Sequence, residues 1–408
     1  MTVEHPVAIP SLPLAGVRVV EFSHMIMGPA CGMMLADLGA DVIKVEPVSG
    51  DNTRSLPGLA AGFFRTFNRN KRSLAVDLDR PEGLALVKEL VAGADVVLEN
   101  FRPGRMARYG LDYATLSQQH PRLIYLSMKG FLPGPYEKRV ALDEVVQMMG
   151  GLAYMTGPAG RPLRAGSSVN DIMGGMFGAL GMLAALRTRE VTGRGQDIQS
   201  GLFENCALLC AQHMQQFDVT GDIPPPMPDR TGGWAVYDIF DVADGEQLFL
   251  AVVSESQWRV FCREFGLDDL GTDPRLANNT LRAGARSWLI PRLRDLFRGF
   301  GKAELAAKFA ENGLPFAPIN RPDQLLDDPH LIESGGLVPM RTENGGTTRI
   351  PLLPLTFDGD HLGVRLGVPA VGEHGSAVLA EIGYSAEAQS RLVADGIVAF
   401  GQAEGAES

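Results

Sequence analysis

Cysteine is scarce in this chain of 408 residues: four occur, at Cys31, Cys206, Cys210 and Cys262. That is no disulfide framework, and a reducing, cytoplasmic compartment is the expectation. Basic charge is short as well. Lys and Arg total 37 against 48 Asp and Glu, a net charge of −11, which argues against a nucleic-acid partner. The most apolar uncharged run, 172–186, is shorter than the roughly 17–25 residues a membrane span needs. The first 14 residues hold no Lys or Arg, so the basic region of a signal peptide is missing and no membrane partner is expected. Motifs are missing too. There is no G-x-x-x-x-G-K-[ST], no H-E-x-x-H and no G-x-S-x-G. The turn from Ser23 to Pro29 holds a single glycine where a dinucleotide fingerprint needs three, although Glu46 stands where a ribose-binding acid would. Cys206, Cys210 and His213 have a spacing that a metal could use. Their apolar neighbours and the lack of a fourth ligand mark a core stripe instead, and no metal is expected.

What is present is alternation. Strand-like 17–22, helix-like 29–38 and strand-like 42–46 make a βαβ unit. A helix over 79–91, a strand at 95–98, a helix at 113–119 and a strand at 123–127 continue the pattern. The fold class this predicts is α/β, a mostly parallel sheet with helices on both faces. After residue 219 the texture changes. The Pro-rich run 221–228 reads as an extended linker, and 236–240 with 247–253 as a hairpin. Helix-like segments follow at 255–265, 283–298 and 302–312, then a strand-like 347–351 and a helix-like 376–382. The expected division is a large α/β domain over 1–219, a linker over 220–233, a small α+β domain over 234–322, and a remaining stretch over 323–408.

Two basic clusters interrupt the acidic background: Arg65, Arg69, Lys71 and Arg72, then Arg102, Arg105 and Arg108. The second follows a predicted strand directly, and loops at strand C-terminal ends are where open α/β sheets bind ligands. Its guanidinium groups suit phosphates. Asp171 is the most informative carboxylate. It precedes the uncharged helix-like run 172–186, where it could cap the free N–H groups of the first turn. The glycines at 174, 175, 178 and 181 would let another backbone come close. In such a tightly packed setting an aspartate can also act as a nucleophile toward an acyl group.

These residues resemble the family III CoA-transferases, the superfamily of formyl-CoA transferase and α-methylacyl-CoA racemase. The resemblance rests on Pro13 to Phe22, on Gly39 to Pro47, on the N-x-N-K-R-S run Asn68 to Ser73, on Glu99 to Gly104 and on Thr192 to Gln196. It implies a Rossmann-like large domain built from both ends of the chain, to which 323–408 returns, a smaller domain, and a homodimer of interlinked rings. It implies Asp171 as the nucleophile. Contacts to coenzyme A fall on Ile26 and Met27, on Val76, Asp77, Leu78 and Asp79, on Asn100, Phe101 and Arg102, on Arg108, and on Val140, Ala141, Leu142 and Asp143. His24, Arg139, Arg164 and a glycine loop at Gly232 and Gly233 are further substrate candidates. No cofactor beyond coenzyme A is implied.

The function expected is CoA transfer between acyl-CoA and small carboxylic acids. The segments 129–139 and 164–168 resemble a branch that handles short dicarboxylates, with succinyl-CoA as donor and itaconate or mesaconate as acceptor. A racemase needs a second proton-moving group, and the family's racemases place a histidine where this chain has Leu142. A non-catalytic acyl-CoA binder would have no need of Asp171.

Overall fold

The computed structural model describes residues 12–229 and 233–401. They form two compact units: one runs to Met227 and resumes at Pro329, the other is Pro228–Asp328. The first is built on seven strands. β1 (Arg18–Phe22), β2 (Asp41–Glu46), β3 (Arg72–Val76), β4 (Val96–Glu99), β5 (Ile124–Lys129) and β6 (Asp197–Gly201) are all parallel. Across the sheet they run 3-2-1-4-5-6, and Val398–Ala399 adds antiparallel beyond β3. This is the doubly wound order. Its direction reverses between β1 and β4, so a crevice opens beyond their C-terminal ends.

The strands are near-continuous apolar runs because both faces are covered. Val19, Val42, Val96 and Ile124 pack on one side with α1 (Met27–Asp37) and with α8, the helix Val169–Thr192. Val20, Ile43, Leu74 and Val97 pack on the other with α3 (Pro81–Ala92) and α4 (Arg105–Tyr109). Between these elements lie the short helices α2 (Phe63–Phe67), α5 (Tyr113–Gln119), α6 (Asp143–Met149) and α7 (Leu152–Thr156), and α9 (Leu202–Thr220) follows β6.

Helix α8 is longer than the expected 172–186, and it begins before Asp171 rather than after it. Its 24 residues include an 18-residue stretch of mean hydropathy 1.4, enough by length and composition to cross a membrane. Its glycine face explains that composition. A Cβ on Gly175 would lie 2.9 Å from the Cys31 main-chain nitrogen, and one on Gly178 would lie 2.2 Å from Met128 Cε. The missing side chains let the α1 backbone come close to α8, as the sequence pattern predicted, and make room for Met128 and Ile198 from the sheet.

Two of the parallel strands escaped the sequence reading. β3 begins inside the first basic cluster, and β6 is the polar edge run D-I-Q-S-G. The cluster itself is not a surface for phosphate. Arg69 forks onto the buried Asp37, Lys71 meets Glu21, and Arg72 pairs with Asp41 and Glu381. Asn70, in the left-handed region with φ 60, accepts the N–H groups of Arg365 and Leu366 and so ties the returning C-terminal segment to the sheet.

The second unit has its own core. β7 (Val236–Asp241) and β8 (Gln247–Val252) form the expected hairpin, and β9 (Phe316–Pro318) joins β8. Helices Glu255–Glu264, Arg286–Phe297 and Lys302–Glu311 cover Trp258, Phe261, Phe297 and Phe309.

Candidate active site

The crevice at the reversal of strand order is lined by the turn from Ser23 to Ile26, after β1, and by the segment from Asn100 to Arg102, after β4. Asn100 locks the two together: its Oδ1 accepts the His24 N–H at 3.0 Å and its Nδ2 donates to the His24 carbonyl at 2.8 Å. The single glycine of the turn has a packing reason. A Cβ on Gly28 would sit 2.6 Å from Ser23 Cβ and 3.0 Å from Asn100 Cγ. Met25 adopts φ 63, a conformation that costs a non-glycine residue about 1 kcal/mol or more. Its N–H donates to the buried Thr53 hydroxyl at 3.0 Å, which holds the turn in place.

A charged network with no solvent contact lies under this turn. Lys44 Nζ donates to the Ser23 carbonyl at 2.6 Å and pairs with Asp51 at 2.9 Å. Lys71 Nζ donates to Glu21 Oε1, to the Pro29 carbonyl and to Asn68 Oδ1. Sequence reasoning missed Lys44, Asp51, Thr53 and Glu21. The signal for two of them was there: an acid in the apolar run V-V-E-F and a lysine in V-I-K-V-E are out of place unless paired. Glu46 is taken by Arg54 and Ser73, so it is no ribose ligand.

Asp171 stands in the first turn of α8, half-buried. One turn on, Gly174 abuts Met27, and the next residue, Ile172, packs with Ile26 and Ala30. This first turn of α8 therefore packs on the start of α1, and the groups that bear on the Asp171 carboxylate are Asp143 and Arg164. It does not cap its own helix. Asp143 does so from α6: its Oδ1 accepts the N–H groups of Asn170 at 2.9 Å and Asp171 at 3.1 Å. Burial, and then the Asp143 charge, push the Asp171 carboxyl up to about 7, while Arg164 opposes the rise. A carboxylate short of solvent and of donors is a better nucleophile than one stabilised in water.

The remaining candidates divide. Ile26, Met27 and Val76 are buried, so their side chains serve the core. The next residues, Asp77, Leu78 and Asp79, carry the chain away from β3, and Asp79 accepts from Arg108 and from the Tyr109 hydroxyl. Phe101 stacks on His24 with centroids 5.8 Å apart, and the Arg105 guanidinium lies over the Phe101 ring at 4.6 Å. Burial holds the His24 imidazole below its ordinary range, with Lys44, Arg105 and Arg102 adding to the effect against Asp51. Arg102 is exposed and makes no ion pair among the described residues. Val140 and Leu142 are exposed, Ala141 is half-buried, and Asp143 is held by protein donors. Arg139 lies over the Tyr136 ring at 5.0 Å, and Arg164 reaches Asp143 at 3.6 Å and Glu144 at 3.9 Å. Gly233 belongs to the second unit, where its carbonyl accepts from Asn279, and Gly232 lies outside the described residues.

The fold is a doubly wound α/β architecture with a largely buried carboxylate at the start of α8. A sequence model of CoA-transferase family III matches residues 14–375. The succinate–glutarate CoA-transferase of Agrobacterium fabrum is 35% identical over 383 residues, covering 91% of this chain and 96% of that one. The succinyl-CoA–D-citramalate CoA-transferase of Chloroflexus aurantiacus is 32% identical over 91% and 94%. A crystal structure of a CaiB/BaiF family protein from Brucella suis superposes with a TM-score of 0.83 at 34% identity, over 91% of this chain and 99% of that one. The chain belongs to CoA-transferase family III.

Proposed function

We propose that this enzyme moves coenzyme A from succinyl-CoA to a short dicarboxylic acid, with itaconate among the acceptors, through covalent intermediates on Asp171. The single observation that carries the reading is the Asp171 carboxylate, largely buried in the first turn of α8, a helix packed on the start of α1 in a CoA-transferase family fold. The similarity to enzymes named for glutarate and D-citramalate supports dicarboxylates as the acid class.

The steps balance without any cofactor beyond coenzyme A. A carboxylate oxygen of Asp171 attacks the succinyl thioester carbonyl, the C–S bond breaks, and the products are an aspartyl–succinyl anhydride and CoA thiolate. The thiolate attacks the aspartyl carbonyl and releases succinate, leaving coenzyme A on Asp171 as a thioester. The acceptor's carboxylate then repeats both steps in reverse and departs as the new acyl-CoA. Dividing the exchange in this way replaces one difficult step by several easier ones.

Arg102 and Arg108 would hold the phosphates of coenzyme A. Arg102→Ala is expected to raise the acyl-CoA KM roughly ten- to hundredfold with little change in kcat, as for the loss of one charged hydrogen-bonding group. Arg108→Ala should act in the same direction but less, because Arg108 already spends part of its charge on Asp79. Steady-state kinetics with varied succinyl-CoA checks both, and unchanged saturation in both variants removes them from the site.

A dicarboxylate carries a second charge that must be met when it leaves water. Arg139 and Arg164 are the candidates, and Arg139 has no carboxylate partner among the described residues. Succinate, glutarate and itaconate are therefore expected to outperform butyrate by roughly tenfold or more in kcat/KM, since butyrate leaves the cation unpaired. An acid panel with mass detection of the adduct formed from succinyl-CoA alone tests the reading: coenzyme A should appear on the peptide holding Asp171. Butyrate equal to succinate would reject the dicarboxylate choice, and no adduct would reject the covalent route.

The reading includes a cytoplasmic homodimer. Its support is an apolar face, Met176 and Leu180 on α8 with Leu208, Met214 and Phe217 on α9, all exposed in the single chain. A cavity of about 560 Å³ lined by Tyr154, Cys210 and Phe217 continues this face.

A further inference from the structure

Asp143 carries a charge beside the nucleophile, yet its contacts are all to protein. The N-cap residue of α8, Ser168, gives no side-chain cap, and Asp143 supplies one from another helix. Its second oxygen accepts Gln147 Nε2 at 2.5 Å and faces Arg164 Nη2 at 3.6 Å. Gln147 has no solvent exposure, and its Oε1 accepts the Ala165 N–H at 2.8 Å. Three stretches of chain thus close on one buried carboxylate: the first turn of α6, the loop at 164–168 and the first turn of α8.

Two carboxylates and one guanidinium share this corner. Asp143 receives two main-chain N–H groups and an amide. Asp171 is left with the repulsion. The charged groups that bear on it are Asp143 of α6 and Arg164 of the preceding loop, and Glu144 lies on the far side of Arg164 at 3.9 Å. From the other elements packed on α8, α1 brings the buried Cys31 thiol, and α9 brings Glu204 and the buried Cys206.

We propose that Asp143 is a positioning residue for CoA transfer: capping α8 from α6, it fixes the reach of Asp171 and, opposed by Arg164, sets the charge on it. The proposal rests on Asp171 as the nucleophile. It also assigns Asp143 to the protein side of the site, not to contact with coenzyme A.

The consequences have opposite signs at the two neighbours. Only ionised Asp171 attacks, so adduct formation from succinyl-CoA falls as pH drops through the Asp171 titration. Asp143→Asn removes a negative charge, which eases ionisation and moves this acid limb to lower pH by roughly one unit. Asn also turns a second donor toward Gln147, so the plateau rate should fall roughly ten- to hundredfold, the cost of a misplaced reacting group. Arg164→Gln removes the positive charge and moves the limb to higher pH.

The experiment is the pH dependence of adduct formation, followed by rapid quench and intact mass in the full-length enzyme, with KM for succinyl-CoA measured beside it. Opposite shifts, with KM unchanged in Asp143→Asn, are the expected result. Shifts in the same direction, no shift, or a KM effect larger than the rate effect in Asp143→Asn would overturn the proposal. Arg164 is partly exposed, so if Asp143→Asn does not fold, Arg164→Gln decides alone: an unmoved limb rejects it. Adduct formation in Asp171→Ala would instead overturn the nucleophile itself, which keeps the two failures apart.

Discussion

Replacing Asp171 by alanine is expected to abolish CoA transfer and, above neutral pH, to make the protein more stable. The first effect is the loss of the attacking group. No other carboxylate takes its place, since the neighbouring Asp143 is engaged by the N–H groups of Asn170 and Asp171 and by Gln147. A fall in kcat of roughly 10⁴-fold or more is expected, as when the nucleophile of a covalent enzyme is removed. The second effect follows from how the carboxylate is held. Its carboxyl is raised from 3.8 to about 7, chiefly by burial. Below about pH 4 it is protonated in both folded and unfolded chains and costs nothing. Between about pH 4 and 7 the unfolded chain ionises while the native one keeps its proton, so the native state loses stability as pH rises. Above 7 the loss is complete, at most roughly 4 kcal/mol for a shift of this size and less where the half-exposed group is solvated. Alanine removes this penalty. Thermal unfolding at pH 8 should show a higher Tm for Asp171→Ala than for the native chain, with the gap narrowing at pH 5. Full turnover by the variant, or a lower Tm at pH 8, would sink the assignment.

That trade of stability for reactivity was only half visible in the sequence. Asp171 stood out because a lone acid met a long uncharged run rich in glycine, and the glycines at 174, 175 and 178 do let α1 come close. The sequence left open whether Asp171 caps the helix. The structure answers through Asp143, 28 residues upstream, whose Oδ1 accepts the N–H groups of Asn170 and Asp171. A cap supplied from another helix has no local pattern to reveal it.

The same limit explains which elements were legible. β1, α1 and β2 follow from the spacing of apolar residues, and α5 coincides with its predicted range of 113–119. β3 was hidden because Lys71 and Arg72 make its start read as a basic surface. Their partners, Glu21, Asp41 and Glu381, lie far away in the chain. Charge is legible in a sequence; its burial is not. β6 was hidden for a different reason: as an edge strand it is paired on one side only, and its polar residues resemble a loop.

Lys71→Met is expected to cost about 3–5 kcal/mol, the range for removing one partner of a buried ion pair. Lys71 has no solvent exposure, and its three donors are matched by three acceptors: Glu21 Oε1 at 2.9 Å, the Pro29 carbonyl at 2.9 Å and Asn68 Oδ1 at 3.0 Å. Burial, with the Lys44 charge adding to it, lowers its ammonium to about 8 against the raising effect of Glu21. Methionine fills much of the same volume but donates nothing. Glu21 then keeps Ser23 Oγ at 2.5 Å and the more distant Lys44 at 3.9 Å, while its Oε2 already lacks a hydrogen-bond partner. A carboxylate so placed is expected to take up a proton or to pull the β1 end out of register with α1. Both outcomes disturb the Ser23 to Met25 turn, so the acyl-CoA KM should rise with the loss of stability. The double variant Glu21→Gln, Lys71→Met separates the pair from its surroundings. With the charge gone from both sides, it should cost less than the sum of the two single changes, by at least about 1 kcal/mol of coupling. Urea unfolding of the four proteins gives this cycle. A Lys71→Met cost below about 1 kcal/mol, or strict additivity in the double variant, would mean that this buried contact does not hold the turn beneath the active site.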